Sequence, residues 1–349
     1  MELATLIAQY RGALEQRHGD RLLPGHRRAL AAMQRCRTPQ AGQVRWACHD
    51  CSRHQDYPLS CGHRSCPKCQ NQEATRWLDR QRTKLLPVDY FMVTFTLPAE
   101  LRGLAWRHQT VVYRLLFDCT VSTLKDFGLN PDKLGAELGM TAVLHTHARD
   151  KTFHPHVHLI VPGGGVNRLR HCWKKLKGRY LFNEFALARV FRARMLEALQ
   201  KNGLNLPENV PKKWVADCRR VGHGEPALEY LSRYLYRGVI AERDIIANRS
   251  GEVTFRYVES GTGETRTRTL PGADFLWLIL QHVLPKGFRR VRDYGFLHGN
   301  AKKLLGLVQL ILRVTLPFPV ETIRPRRTCP GCGQPMQVIS VIRAHWQPG

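Results

Sequence analysis

Two closely spaced cysteine pairs constrain the N-terminal part of this chain more than any other feature. Within residues 46–70, Cys48 and Cys51 form one Cys-x-x-Cys pair, and Cys66 and Cys69 form a second. Zinc prefers four thiolates arranged as a tetrahedron, and two such turns placed across a short ribbon supply them. The spacing therefore predicts a structural zinc ion held by these four cysteines, and it disfavours a redox dithiol because the second pair lies so close.

Other cysteines leave the ligand set open. Cys36 and Cys61 lie near enough in sequence to replace a ligand or to serve a second zinc, and spacing alone does not decide between these uses. Near the C-terminus, Cys329 and Cys332 form half of a possible second zinc site. This pair needs partners, for which Cys36 with Cys61, or His345, are the candidates. The remaining cysteines, at positions 119, 172 and 218, are expected to be ordinary thiols.

The net charge of the chain limits the classes of partner that it is expected to bind. The 349 residues include 54 Lys and Arg against 28 Asp and Glu, a formal net charge of +26. Such an excess favours an anionic partner, either nucleic acid or a membrane surface. A spanning helix needs about 20 apolar residues, and the apolar stretch 304–312 is too short for one. The N-terminus also lacks the features of a secretory signal. Nucleic acid is therefore the expected partner, with no membrane.

The positive charge is concentrated in separate segments. Residues 1–85 carry a net charge of +8, residues 160–220 of +10 and residues 286–327 of +8, whereas residues 86–159 and 221–285 are close to neutral. Several basic segments around neutral ones suit a folded groove for a polyanion better than a basic tail would. The candidate DNA contacts in the last basic segment are Lys286, Arg289 and Arg290.

A histidine-rich hairpin is predicted in the first neutral segment. Residues 88–98 have the β-branched and aromatic composition of a buried strand, and residues 104–127 have helical periodicity. Residues 141–147 and 153–162 then form two predicted antiparallel strands. This order places the histidines of residues 145–158 on a rigid hairpin.

The hairpin predicts a metal site. Alternate residues of a strand share a face, so His156 and His158 project together as a chelating pair. A third ligand is expected from the preceding strand, where His145 is preferred and His147 is the second choice. Asp150 is a weaker candidate that would supply an oxygen ligand.

Residues 225–237 predict a helix that carries two tyrosines. Tyr230 and Tyr234 are four residues apart, so both hydroxyls emerge on one face. Arg233 and Arg237 are placed to hold phosphates beside them. By itself this pattern is more typical of an amphipathic aromatic stripe than of nucleophiles, so its meaning depends on what the helix faces.

Together, the histidines and tyrosines indicate phosphodiester cleavage. A phenol with an ordinary pKa of about 10 is a poor nucleophile at neutral pH. A divalent ion held by the histidines would polarise the phosphate and neutralise the developing charge. The expected products are a covalent 5′-phosphotyrosine and a free 3′-hydroxyl. Because this linkage retains the energy of the bond, the reaction can be reversed onto another DNA end.

The order of these motifs resembles that of one family. The chain has a cysteine-rich module, a strand that ends TFTLP at residues 94–98, the strand HPHVH at residues 154–158, and Tyr230-x-x-x-Tyr234. In this order it resembles the two-tyrosine HUH rolling-circle transposases of the insertion sequence 91 type. The stretch 282–296 and the closing CPGCG at residues 329–333 are also similar to this family.

The resemblance implies both a fold and a reaction. The implied fold is α+β, with an HUH endonuclease core (a ferredoxin/RRM-like antiparallel sheet with flanking helices) and a small N-terminal zinc-binding module. The two histidines would lie on a central strand and hold Mg or Mn, with Zn in the N-terminal module. Tyr230 and Tyr234 would be the nucleophiles, acting on single-stranded DNA at mobile-element ends and on target DNA.

The resemblance also suggests how the chain is divided and where it acts. Residues 1–86 would form a helical start and the cysteine-rich domain, residues 87–285 the catalytic domain, and residues 286–349 a basic C-terminal region with the Cys329/Cys332 knuckle. The expected location is the bacterial cytoplasm, in association with the nucleoid, and homo-oligomerisation stays open.

Three other interpretations use the same residues differently. A plasmid-type rolling-circle replication initiator would share the chemistry and differ in its biology. A metal-dependent hydrolase would use His156 and His158 without covalent attachment to DNA. A non-catalytic zinc protein that binds nucleic acid would need neither tyrosine for any activity.

Overall fold

The computed structural model describes residues 1–69, 71–226, 228, 229, 232, 239–259, 262–315 and 327–343. The predicted nucleophiles Tyr230 and Tyr234 and the predicted phosphate contacts Arg233 and Arg237 lie outside the described residues, as does His345.

Helices and strands alternate along the described chain. The helices are α1 (Leu3–His18), α2 (Pro24–Arg35), α3 (Asn71–Arg82), α4 (Arg102–Arg107), α5 (Gln109–Leu129), α6 (Glu184–Lys201), α7 (Gly272–Leu280) and α8 (Lys302–Ile311). The strands are β1 (Gly42–Cys48), β2 (His54–Pro58), β3 (Asp89–Thr96), β4 (Met140–His147), β5 (Phe153–Pro162), β6 (Gly164–Asn167), β7 (Cys172–Lys175), β8 (Ala216–His223), β9 (Ile245–Arg249), β10 (Glu252–Val258), β11 (Thr265–Pro271), β12 (Val291–Tyr294) and β13 (Met336–Arg343). Residues 224–226, 228, 229 and 232 are also helical and are called the 224–232 segment below.

The chain forms two compact units that do not follow the contiguous division expected from sequence. The terminal unit comprises residues 1–72, 237–283 and 317–349, and the central unit comprises residues 73–236 and 284–316. The expected C-terminal domain, 286–349, is therefore split between the two units. Its last part joins the N-terminal residues because β13 pairs with β1, and residues 237–283 join them because α7 packs on α1.

The central unit is built on a five-stranded antiparallel sheet. Its strand order is β12-β4-β5-β3-β8, so the histidine-bearing strand β5 is the middle strand. The elements of this sheet and the helices that connect them occur in the order β3, α4 and α5, β4, β5, α6 and β8, with the separate two-stranded sheet of β6 and β7 inserted between β5 and α6. This is the βαββαβ order of a ferredoxin-like fold, to which β12 adds an edge strand. The α+β prediction is confirmed.

The two faces of β5 contact different cores, as strand alternation requires. Val157, Leu159 and Val161 are buried in one cluster with apolar residues of α5 and α6. Ile160 is buried in a second cluster, together with Met92 of β3. His156 and His158 share the face of Ile160, and that face therefore carries the predicted metal ligands.

Helices and two small sheets form the terminal unit. One sheet has the order β13-β1-β2, and the other the order β11-β10-β9. Helix α7 packs on α1, where the ring of Tyr10 lies so close to Gly272 that a Cβ atom there would come within 2.4 Å of it. His18 Nε2 bonds the Asp274 carboxylate at 2.8 Å, and the imidazole stacks on Trp277.

No helix in the described part of the chain combines the length and the apolar character that a membrane span requires.

Candidate metal centres

Strands β4 and β5 bring three histidines together. His145 lies opposite His156 in the antiparallel register, and Val143 lies opposite His158. One ring nitrogen from each of His145, His156 and His158 lies within 4.8 Å of the other two. His145 and His158 are buried, and His156 is partly buried. The structure therefore assembles the preferred sequence triad as one group of imidazoles.

A break in the register separates His147 from this group. The pairing shifts between His145 and His147, so that His147 lies opposite Phe153. Its Nδ1 bonds the carbonyl oxygen of Ala148 at 3.1 Å. The carboxylate of Asp150 accepts bonds from the backbone N–H and the hydroxyl of Thr152, so it closes the β4–β5 turn. Neither alternative third ligand belongs to the group.

Hydrogen bonds set which ring nitrogen of each β5 histidine is available. Nδ1 of His156 lies 2.7 Å from the carbonyl oxygen of His154. A carbonyl only accepts, so this Nδ1 carries the proton, and Nε2 of the neutral ring keeps its lone pair. Nδ1 of His158 bonds the Thr94 hydroxyl at 2.9 Å, and where Nδ1 is the donor in this bond, Nε2 is the nitrogen left for a ligand role. Such partners orient the ligands of protein metal sites.

Sequence reasoning missed both of these supporting roles. Thr94 lies directly opposite His158 on β3, so the predicted register of a neighbouring strand was the signal that could have found it. Arg102, the first residue of α4, donates to Nδ1 of His154 at 2.6 Å and thereby steadies the residue whose carbonyl orients His156. Nothing in the sequence around Arg102 points to this contact.

Burial keeps the three imidazoles neutral. It lowers the pKa of His156 to about 4 and holds the pKa values of His145 and His158 well below the ordinary 6.5. The neighbouring histidines lower the pKa values of His145 and His158 further, because each disfavours a positive charge on the next ring. Neutral imidazole is the form that binds a metal ion.

The donor set fits a divalent transition metal. Imidazole nitrogen is a borderline ligand that suits first-row metals, whereas Mg²⁺ prefers oxygen ligands and keeps several waters. Three histidines on one sheet face would leave further coordination positions open for phosphate oxygens. Of the two expected ions, Mn²⁺ fits this set better than Mg²⁺.

Eight cysteines form two groups of four, and this corrects the predicted zinc ligand set. Cys48 and Cys51 do not pair with Cys66 and Cys69. The first cysteine cluster consists of Cys36, Cys61, Cys66 and Cys69, and the second consists of Cys48, Cys51, Cys329 and Cys332. The partners of the C-terminal pair are therefore Cys48 and Cys51, in place of the expected Cys36 and Cys61. Short sequence spacing does not reveal this set, because the second half of the Cys48/Cys51 site lies about 280 residues further along the chain.

The sulfur spacing in both clusters is that of a metal site. Sγ of Cys36 lies 3.3 Å from that of Cys69, and Sγ of Cys51 lies 3.5 Å from that of Cys329. A tetrahedron with Zn–S bonds of ~2.3 Å has edges of about 3.8 Å. A disulfide would need about 2.05 Å. The remaining thiols, Cys119, Cys172 and Cys218, belong to neither cluster.

Two family models of known proteins match this chain. The family model described as "Transposase zinc-binding domain" matches residues 6–97, which include the first cysteine cluster. The family model described as "Putative transposase" matches residues 139–304, which include the histidine hairpin.

Two named relatives cover most of the chain. "Putative transposase y4qJ" of Sinorhizobium fredii (strain NBRC 101917 / NGR234) is 32% identical over 381 residues, which cover 98% of this chain and 95% of the relative. The chain belongs to the insertion sequence 91 type transposases, with an N-terminal zinc-binding domain. "Transposase for insertion sequence element IS801" of Pseudomonas savastanoi pv. phaseolicola is 26% identical over 322 residues, covering 84% of this chain and 76% of the relative.

The transposase anchors the 224–232 segment on the histidine face of its sheet. Leu228 is buried in the cluster that contains Met92 and Ile160. A Cβ atom at Gly224 would come within 2.8 Å of the Tyr90 ring, so the segment begins in close contact with β3. Glu225 also bonds Nε of Arg82 at 2.6 Å.

The candidate DNA contacts before β12 lie beside the histidine hairpin. Lys286 and Arg289 are exposed. The carbonyl oxygen of Arg290 accepts from the backbone N–H of Leu144, the residue before His145, at 2.9 Å. The positive charge of Arg290 contributes to the lowered pKa of His145. Their role in binding DNA stays a prediction.

Thr94→Val tests whether the hydroxyl on His158 supports metal binding. The change keeps the shape of the side chain and removes the bond to Nδ1, so we expect the Mn²⁺ concentration for half-maximal activity to rise 10- to 100-fold. Thr96→Val is the matched control, because Thr96 lies two residues along the same face and opposite His156. An equal shift in both variants would contradict the role of Thr94.

The buried imidazoles also predict how stability depends on pH. The folded chain holds the pKa of His156 at about 4, against 6.5 in the unfolded chain, so the unfolded state binds more protons between these values. The contribution of His156 to the free energy of unfolding, about 3 kcal/mol, is fully present above pH ~6.5 and is lost as the pH falls towards ~4. Urea unfolding without added Mg²⁺ or Mn²⁺ should therefore show a smaller loss between pH 7 and 5 for His156→Gln than for the wild type. Equal losses would refute the pKa assignment.

Proposed function

We propose that this transposase nicks and joins single-stranded DNA by a rolling-circle-like mechanism through a 5′-phosphotyrosine intermediate. The nucleophiles are Tyr230 and Tyr234. A divalent ion, Mg²⁺ or Mn²⁺, is held by His145, His156 and His158. The substrates are the ends of a mobile element and target DNA.

The observation that carries this proposal is the group of three neighbouring imidazoles on strands β4 and β5. Burial lowers their pKa values, and the bond from His156 to the His154 carbonyl leaves its Nε2 lone pair available. Three neighbouring histidines are unfavourable in an ordinary structural core, because burial of each imidazole costs desolvation free energy unless it has a ligand or a hydrogen-bond partner. When bound, the divalent ion would polarise the phosphate and offset the developing negative charge.

The 224–232 segment supports the assignment of the nucleophiles. Its described residues pack on the sheet face from which the β5 histidines project, with Leu228 in the same cluster as Ile160. Ser232, one helical turn after Leu228, is also buried, and its hydroxyl bonds the carbonyl oxygen of Glu229 at 2.8 Å. Leu228, two residues before Tyr230, therefore lies against the histidine face, which supports the assignment of the nucleophiles.

Cleavage and joining balance without any further reactant. A tyrosine oxygen attacks phosphorus and gives up its proton, and the bond from phosphorus to the 3′ oxygen breaks. That oxygen leaves as a 3′-hydroxyl after taking up a proton, and the 5′ phosphate stays on the tyrosine. Attack by a 3′-hydroxyl of another strand reverses the step and releases the enzyme. Two tyrosines would let one hold a donor end while the other cuts a second site.

The charge distribution supports a DNA substrate. Residues 160–220 and 286–327 carry net charges of +10 and +8, and the histidine strands lie in a segment with no net charge. The exposed Lys286 and Arg289 are candidates on the 286–327 segment for phosphate contacts. Binding that neutralises several phosphates should weaken steeply as salt rises.

End-labelled single-stranded DNA tests the proposed function. The wild-type protein is incubated with Mn²⁺ and an oligonucleotide that spans an end of the element encoding it, with a scrambled oligonucleotide as control. We expect the 3′ label to appear on a denaturation-resistant protein adduct and the 5′ label on a free product with a 3′-hydroxyl. Addition of a second strand with a 3′-hydroxyl should transfer the labelled DNA from the protein.

The other interpretations give different results. A hydrolase would cleave the oligonucleotide and release both the 5′-labelled and the 3′-labelled product without an adduct. A non-catalytic binding protein would retard the DNA on a native gel without cleaving it. A replication initiator would form the adduct on an origin sequence and ignore element ends. Any of these outcomes would overturn the proposal.

A further inference from the structure

The second cysteine cluster joins segments from opposite ends of the chain. Cys48 is the last residue of β1 and Cys51 follows it, whereas Cys329 and Cys332 precede β13. Sγ of Cys48 lies 3.4 Å from that of Cys332, and the distance from Cys51 to Cys332 is 3.6 Å. The C-terminal pair lies outside both ranges that the family models match, 6–97 and 139–304. The cluster is therefore not explained by the zinc-binding domain of the family alone.

The two cysteine turns have the same backbone construction. In the first, the N–H of Cys48 donates to the carbonyl oxygen of Arg53 at 2.9 Å, and in the second the N–H of Cys329 donates to that of Gln334 at 2.7 Å. Both bonds span five residues.

The residue that follows the second cysteine of each turn also has a left-handed backbone conformation. Its φ is 54° at Ser52 and 73° at Gly333. Adopting this conformation costs a residue such as serine free energy. Two turns of matching shape that present four sulfurs to one point form a built tetrahedral site.

Apolar packing contributes little to holding the C-terminal segment in place. Of the side chains of β13, only Met336 is buried, and the other seven residues are exposed. The buried cluster here is limited to Cys48, Cys329 and Met336, with Trp46 packed against it. Arg327 adds a cation–π contact with the ring of Tyr57 at 3.7 Å. So small a core cannot by itself offset the conformational entropy of ordering the strand.

We propose that Cys48, Cys51, Cys329 and Cys332 bind a second structural zinc ion, which fastens the C-terminal segment 327–343 to β1. In a small module of this kind, the free energy of metal binding is the free energy of folding. The transposase therefore carries two zinc ions per chain, one in each cysteine cluster. The second makes the C-terminus part of the zinc-binding unit.

Metal content provides the first test. Full-length wild-type protein should contain two zinc ions per chain, and Cys329→Ser with Cys332→Ser should contain one. Cys172→Ser, which alters an exposed thiol outside both clusters, should keep two. Cys332→His should also keep two, because imidazole is a zinc ligand and this position is exposed. Wild-type protein with one zinc, or a double serine variant that retains two, would overturn the proposal.

Alkylation of the wild-type chain provides a test that needs no variant. Cys51, Cys172 and Cys332 are all exposed, so accessibility alone predicts that iodoacetamide modifies the three together. If zinc is bound, only Cys172 should react at once, and Cys51 and Cys332 should react after chelation, as peptide mapping would show. Immediate modification of Cys332 in the zinc-loaded protein would refute the site even if the serine variant failed to fold.

Discussion

Replacing Tyr230 and Tyr234 together with Phe should abolish the covalent protein–DNA adduct and reduce cleavage of single-stranded DNA at least about a thousandfold. The change removes only the two phenol oxygens, and loss of a nucleophile typically removes nearly all of the catalysis to which it contributes. Adduct yield on denaturing gels and single-turnover cleavage rates measure the two effects. DNA binding should persist, because the basic segments are unchanged.

The two single variants and a matched control make this prediction sharper. Tyr236→Phe removes a phenol from the same stretch, and helical periodicity in the sequence predicts that Tyr236 does not share the face of Tyr230 and Tyr234, so this variant should leave the adduct intact. If both tyrosines act in turn, each single variant should still form an adduct while failing to complete strand transfer. An adduct formed by the double Phe variant would exclude both residues as nucleophiles.

Replacing His156 and His158 together with Ala should remove cleavage while sparing DNA binding. The expected loss is about a thousandfold or more in rate, which corresponds to about 4 kcal/mol of activation free energy. The reason is that two of the three neutral imidazoles of the proposed metal site are lost, and His145 alone cannot hold a divalent ion. Cleavage should not be restored by raising Mn²⁺.

One control variant and two measurements on the double Ala variant separate a lost metal site from a damaged fold. His171→Ala, which changes an exposed histidine of the central unit, should cleave at the wild-type rate. Circular dichroism and salt-dependent DNA binding of the double Ala variant should match those of the wild type. Cleavage that survived in a folded double variant would refute the proposed metal role of these histidines.

The histidine site could be predicted from sequence to the extent that it depends on local geometry. His156 and His158 share a face because every strand alternates, and the two strands of a short hairpin are neighbours in the chain. The choice between His145 and His147 was not a local matter. It depends on the break in pairing after His145, which moves His147 opposite Phe153. Such irregularities arise from turn and sheet packing, for which the sequence carried no distinct signal.

The cysteine sites could be predicted only in part, because one of them takes its ligands from distant parts of the sequence. Each Cys-x-x-Cys turn is a local feature, and all of them were recognised in the sequence. The four-cysteine set built from neighbouring pairs was wrong, because Cys48 and Cys51 meet Cys329 and Cys332. Separation along the sequence does not predict which cysteine pairs come together when β13 pairs with β1.

The sequence by itself determined which chemical groups this transposase carries: thiolate pairs suited to zinc, a strand of alternating histidines suited to chelation, and a cationic chain suited to a polyanion. These depend on residue type, on short spacing and on total charge, all of which are local or additive. Only the tertiary structure decided which ligands meet. It placed His145 beside His156 and His158, supplied Thr94 and the His154 carbonyl as hydrogen-bond partners of the β5 histidines, and divided eight cysteines between two clusters. The reason is that three- and four-ligand sites depend on long-range strand pairing, and the free energy of that pairing comes from burial across the whole sheet.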